Sequence, residues 1–341
     1  MTIGALPRIA IDTMGGDFGP SETIPAAIES AKSGTVAIIL VGSPDLIKKE
    51  LAKYSYDNLP ITIIPSDGLI TETTQPVQAI KKNPNASIVI CNELVKRKDA
   101  DAYVTMGSTG AALASSSMIL GLLDNIDRPV LGGVLLECAP HSILVDAGST
   151  IDARPSQLVN FAVLGSAFVQ AFFGINNPKV ALLSVGSENN KGNKQVKDTY
   201  GLLEKTNINF IGNIEGHELP FGKADVIVCD GFTGNILLKT VEGIGSVLYK
   251  ELANEIGKHL PEKKANHIAE IIFKTITPAD KWGGSPIFGI NGIGIVGHGR
   301  HKQFGIRNAI NTAKLSIDVN MIEIMENNLK RIRDKIKVNE I

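Results

Sequence analysis

Three side chains stand out for the chemistry that their settings allow. Lys191 lies in Gly186-Ser-Glu-Asn-Asn-Lys-Gly-Asn193, a glycine-flanked loop rich in amides. Its ammonium reads either as a point charge for a phosphate or a developing oxyanion, or as a solvated loop lysine. Asn235 closes Asp230-Gly-Phe-Thr-Gly-Asn235, a helix-opening turn in which the Asn235 carboxamide and the Gly234 amide are candidate donors. In the same stretch Asp230 and Thr233 read as cap or ligand. His298 sits between glycines in Gly297-His-Gly-Arg300 and can donate to a phosphate or orient a substrate. Nothing here demands a covalent nucleophile. Cys229 precedes Asp230, but no basic neighbour marks it as activated, and a buried strand cysteine is the simpler reading.

These groups need elements to carry them, and the chain supplies apolar, β-branched runs at Arg8–Asp12, 36–41, Ile61–Pro65, 102–106, 130–137, 142–146, 180–185, 209–211, 225–229 and 287–296. Helix-like segments separate most of them. Near-continuous apolar strands alternating with helices predict a mostly parallel sheet in a three-layer α/β/α sandwich, Rossmann-like, with the whole chain as one catalytic domain. Every strand of interest ends in glycine with a small polar residue. Asp12-Thr-Met-Gly15-Gly16-Asp17 follows the first, Gly107-Ser108-Thr109-Gly110 the fourth and Asp146-Ala-Gly-Ser-Thr150 the sixth, while Asn193 ends the lysine loop. Ligands of open α/β sheets bind beyond the carboxyl ends of strands, so these turns are the expected binding residues. Gly107–Gly110 also opens a helix, a setting suited to anions, although the same residues make an ordinary strand-to-helix turn.

From Val241 to Thr277 the pattern is a long helix, a break at Leu260-Pro261 and a second amphipathic helix, expected as a protrusion that packs on the core or on a partner subunit, the alternative being a membrane-surface or carrier-protein contact. The apolar segment 161–175 is too short to span a bilayer and reads as a buried or interface helix.

Composition removes several function classes. A formal charge of −1 over 341 residues argues against general nucleic-acid binding. Three distant cysteines fit no disulfide framework or metal spacing, and the histidines show no ligand spacing, so no metal is expected and a reducing cytoplasm is. Neither a P-loop nor a dinucleotide fingerprint is present, and no cofactor is expected. Residues 1–7 lack the basic and apolar regions of a signal peptide.

In order along the chain, Ile11-Asp-Thr-Met-Gly-Gly-Asp17, Gly107–Gly110, Asp146–Asp152, Lys191-Gly-Asn193, Gly212–Gly216, Val228-Cys-Asp-Gly-Phe-Thr-Gly-Asn235 with Lys239-Thr, and Gly283-Gly-Ser-Pro286 resemble blocks of the PlsX family, bacterial phosphate acyltransferases of phospholipid synthesis. The resemblance implies an isocitrate and isopropylmalate dehydrogenase-like fold, a homodimer and peripheral membrane association. It also implies reversible transfer of a fatty acyl group from acyl-carrier protein to orthophosphate, the acyl phosphate then feeding a membrane glycerol-3-phosphate acyltransferase. Two rivals remain: a phosphotransacetylase-like enzyme preferring acyl-CoA, and a non-catalytic acyl- or phosphate-binding scaffold. Ser108 stands where the family usually has Asn, and Arg300-His301 where it has small hydroxyl residues.

On the acyltransferase reading, bound phosphate attacks the thioester carbonyl directly. Lys191, His298 and the amides of Gly107–Gly110 are expected to hold phosphate, with Asn235 stabilising the oxyanion. Lys194, Lys197, Arg300 and Arg307 are candidates for meeting an acidic carrier protein.

Overall fold

The computed structural model describes residues 6–71, 75–277 and 279–339. The first five residues of the stretch read for a signal peptide therefore lie outside the described part. Eleven strands are found among the described residues: β1 (Arg8–Asp12), β2 (Ala37–Gly42), β3 (Ile61–Pro65), β4 (Ala102–Thr105), β5 (Val130–Val134), β6 (Ile143–Val145), β7 (Lys179–Ser184), β8 (Asn209–Glu215), β9 (Val226–Val228), β10 (Ser285–Phe288) and β11 (Gly294–Val296). They belong to two compact units, each contributing mostly parallel strands with flanking helices; the mostly parallel α/β class is the one expected from the alternating apolar runs.

Unit 1 takes in the described part of 1–129 and then 279–323. Its strands run β3-β2-β1-β4-β11-β10, all parallel except β10, which pairs antiparallel with β11. Asp12 and Val296 both sit opposite Thr105, so the turns that follow β1, β4 and β11 leave the sheet at one level. Helices Pro20–Lys32 and Gln303–Asp318 pack together as one group, and Ser87–Lys96 with Thr109–Ile119 as another.

Unit 2 takes in the described part of 130–278 and of 324–341, with strands in the order β5-β6-β9-β7-β8. Here β5 is antiparallel to β6 and the rest are parallel; Val228 is opposite both Val145 and Leu182. The helix Pro155–Phe173 covers β6 and β9. It is apolar and long enough by composition to cross a membrane, yet most of its side chains are buried in this unit, as read from the sequence.

Two expectations need correction. The run 287–296 is two strands, because the chain reverses through Gly289, at a φ of 83° that favours glycine, before resuming as β11. The long helix read from Val241 is continuous with the helix that the Asp230 turn is expected to open, a single element Gly231–Gly257. The break at Leu260-Pro261 and the second helix, Glu262–Ile276, fall where the pattern put them.

Candidate functional site

In unit 1 the first carboxylate builds the turn. Asp12 is 1% exposed; its Oδ1 accepts the Met14 and Gly15 N–H groups at 3.1 Å each, and its Oδ2 accepts the Thr105 hydroxyl at 2.7 Å. Thr105 Oγ1 in turn accepts the Gly107 N–H at 2.9 Å. Burial pushes the Asp12 carboxyl above its ordinary range, and these hydrogen bonds pull against that shift. One hydroxyl thus couples the turns after β1 and β4. They approach so closely that a Cβ on Gly15 would lie 2.7 Å from the Gly107 nitrogen.

Gly107 therefore has its N–H engaged inside the turn. Next to it, Ser108 caps the helix Thr109–Ile119, its Oγ accepting the Ala111 N–H at 3.4 Å. Thr109 and Gly110 occupy the first helical turn, where an N–H has no partner within the helix. Asp17 is exposed, and its N–H donates to the Gly299 carbonyl at 2.9 Å, joining the first turn of the unit to the last. Exposed His298 accepts the Arg300 N–H on Nδ1 at 3.3 Å, which leaves Nε2 as the protonated nitrogen of the neutral ring. Unit 1 thus gathers Gly15, Gly16, Asp17, Gly107–Gly110 and His298 at the carboxyl ends of its strands.

Unit 2 repeats this construction at β6. Asp146 is fully buried; Oδ1 accepts the Gly148 and Ser149 N–H groups at 2.8 and 2.7 Å, and Oδ2 accepts Thr150 N–H at 2.7 Å. Its carboxyl is likewise pushed up by burial against those hydrogen bonds. After β9, Asp230 caps the helix Gly231–Gly257: Oδ1 accepts the Thr233 N–H at 2.8 Å and Oδ2 its hydroxyl at 3.0 Å. Asp230 and Thr233 satisfy one another. Cys229 is buried with its thiol pushed well up by burial, and its Sγ lies 3.5 Å from the Asp146 carbonyl oxygen. That is the setting of an inert structural thiol.

Asn235, one residue past the capping turn, is exposed and rests against Gly148, where a Cβ would fall 3.3–3.5 Å from its side-chain atoms. Its carboxamide makes no hydrogen bond with the described residues. Lys191 is also exposed; its backbone N–H donates to Glu188 at 3.0 Å, its stem folds over Gly186, and its ammonium forms no ion pair among the described residues. Asn193 caps the helix Lys194–Leu203, its Oδ1 accepting the Val196 N–H at 2.9 Å. Because β6, β9 and β7 are neighbours and parallel, the turns bearing Asp146, Asn235 and Lys191 share one edge of this unit's sheet.

Sequence reading did not find Thr105. Thr105 resembles any strand threonine; the signal available is its place two residues before Gly107. Among the described residues no three of His, Cys, Asp and Glu come together as a metal site would require.

A family model described as "Fatty acid synthesis protein" matches residues 7–324. A Phosphate acyltransferase of Desulfitobacterium hafniense is 39% identical over 337 residues, covering 95% of this chain and 98% of its own. One of Syntrophomonas wolfei is 38% identical over 328 residues, covering 95% and 99%. A phosphotransacetylase from Streptococcus pyogenes has a similar fold, with TM-score 0.64 at 17% identity over 94% of this chain and 95% of that one. So does a 4-hydroxythreonine-4-phosphate dehydrogenase from Klebsiella pneumoniae, at TM-score 0.52 and 12% identity over 91% of this chain and 98% of that one.

Proposed function

Since this chain belongs to the PlsX family of phosphate acyltransferases, whose model spans residues 7–324, we propose that it transfers a fatty acyl group reversibly from an acyl-carrier-protein thioester to orthophosphate. The observation that carries this reading is the alignment over 95% of the chain with relatives named for the activity. A phosphate oxygen forms a bond to the carbonyl carbon, the carbonyl oxygen becomes a tetrahedral oxyanion, and collapse breaks the C–S bond. The products are acyl phosphate and a carrier thiolate, which takes up a proton. Orthophosphate is already nucleophilic near neutral pH, so positioning and charge stabilisation dominate.

Residue roles are assigned unit by unit. In unit 2, Lys191 supplies a fixed positive charge to phosphate and Asn235 donates its amide to the oxyanion; neither side chain has another polar partner among the described residues. In unit 1, His298 Nε2 and the helix-opening amides of Thr109 and Gly110 are donors to phosphate. Asp12, Asp146, Asp230 and Asn193 hold the turns that present these donors, and Asp17, Gly15, Gly16, Gly107, Ser108, Thr233 and Gly234 shape the same turns.

We assign the protein to the cytoplasm, where its three free cysteines remain reduced. Exposed Lys194 and Lys197, beside the Lys191 loop, suit an acidic carrier protein; Arg307 is paired with Glu29 instead. A homodimer would cover Ile244, Val247 and Ile271 on the helical hairpin, each more than half exposed. Leu260, at the hairpin's break, is the candidate for peripheral membrane contact, which would deliver acyl phosphate to a membrane glycerol-3-phosphate acyltransferase.

The test is thiol release from long-chain acyl-carrier protein with and without orthophosphate, the product being trapped by hydroxylamine. Phosphate-dependent release with a trapped acyl group is expected. Turnover of acyl-CoA alone would make the protein a phosphotransacetylase, and ligand binding without release would make it a scaffold.

A further inference from the structure

The helix Gly231–Gly257 packs on unit 2 through Leu237, Leu238 and Val241. By helical spacing Phe232 and Ile236 lie one turn apart on the opposite face, and they are 57% and 50% exposed. They flank Asn235, which follows Phe232 by three residues and directly precedes Ile236. The next turn of that face is polar: Lys239 pairs with Glu242 at 2.8 Å, and the Thr240 hydroxyl donates to the Ile236 carbonyl at 2.8 Å. Apolar residues resume only at Ile244 and Val247, so the Phe232–Ile236 patch is isolated from the apolar surface of the hairpin.

We propose that Phe232 and Ile236 form the contact surface for the first methylenes of the donor's acyl chain and so favour an alkyl chain over an acetyl group. This rests on the acyltransferase reading, with Asn235 at the oxyanion. A donor of that kind fixes the carbonyl carbon, and the acyl chain starts one bond away. Whatever lies beside Asn235 on the exposed face meets those methylenes. Two apolar side chains there reward an alkyl chain, whereas a short acyl group gains little from them. The polar turn at Lys239-Thr240 ends the surface.

The experiment compares acetyl, octanoyl and palmitoyl thioesters of acyl-carrier protein in phosphate-dependent thiol release by the full chain and by Phe232→Ala and Ile236→Ala. The expected result is a loss of about tenfold in kcat/KM for palmitoyl and octanoyl with acetyl little changed, and recovery in Phe232→Leu. Equal loss on all three donors, or none on any, overturns the proposal. So does a change of oligomeric state that tracks the loss, since the patch would then face a second copy of the chain. If an alanine variant fails to fold, Phe232→Leu and Ile236→Val decide by the same comparison. Absence of phosphate-dependent release from every donor in the unaltered protein would instead remove the acyltransferase reading itself.

Discussion

Gly234 lies against the backbone of Asp146 so closely that a Cβ at position 234 would fall 1.8 Å from the Asp146 carbonyl oxygen. That contact sets the helix bearing Asn235 directly on the turn after β6. No flexible side chain stands there to give way, so Gly234→Ala must displace helix or turn, at a cost of ~1–3 kcal/mol or more. The variant is expected to melt several degrees lower and to lose turnover beyond what the lower melting point explains. Unchanged activity in a fully folded Gly234→Ala would mean that Asn235 need not be held this tightly.

Lys191 and Asn235 are exposed and their side chains have no polar partner among the described residues, so removing either should leave stability intact. Lys191→Ala and Asn235→Ala are each expected to lower kcat by about 10²–10³ with thermal midpoints within a degree or two of the parent. Near-normal turnover in both folded variants would retire these assignments.

Of the three cysteines Cys138 is exposed, while Cys91 and Cys229 are buried with thiols pushed well up by burial. A disulfide reagent should therefore modify one thiol in the folded protein and three after unfolding. Cys229→Ala should turn over normally. Its inactivation without unfolding would point to thiol chemistry that the burial of this side chain argues against.

The buried aspartates give stability a definite slope with pH. Burial raises the folded-state pKa of Asp12 and of Asp146 above 3.8, so the folded protein holds protons that the unfolded chain has released. Their stabilising contribution is complete below pH about 3.8 and is lost as the pH rises through the raised values. Asp101 works the other way. Burial raises its pKa, the hydrogen bonds and charge of Arg8 outweigh that, and its contribution is present above 3.8 and lost as the pH falls. Asp146→Asn removes one titrating group, so its urea midpoint should decline less between pH 4 and 7 than the parent's. A steeper decline would contradict the sign of the shift.

How much of this was legible in advance differs by feature. Strand positions and their polar endings could be read because buried parallel strands are continuous β-branched runs and turns need glycine. The 287–296 run misled because Ile287, Phe288, Ile293 and Ile295 are all buried, and burial alone does not show a reversal at Gly289. The Asp230 turn could be read as a helix opening, but its continuity with the stretch from Val241 was hidden by Gly231, Thr233 and Gly234, residues of poor helix propensity that the capping turn and close packing on Asp146 require. As for the site, residue types marked the turns but not their division of labour. Asp12 and Asp146 look like ligands in sequence, and the backbone N–H groups that occupy them appear only once the chain has turned.

The return of residues 279–323 to unit 1 also bears on synthesis. Strand β4 pairs with β1 on one side and with β11 on the other, and β11 is made roughly 190 residues later. At ribosomal rates of about 5–20 residues per second, the β11-facing edge of an all-buried apolar strand waits on the order of ten to forty seconds for its partner. During that interval the nascent chain carries an open edge of the kind that recruits other strands, so the step most exposed to aggregation is the delayed closure of unit 1.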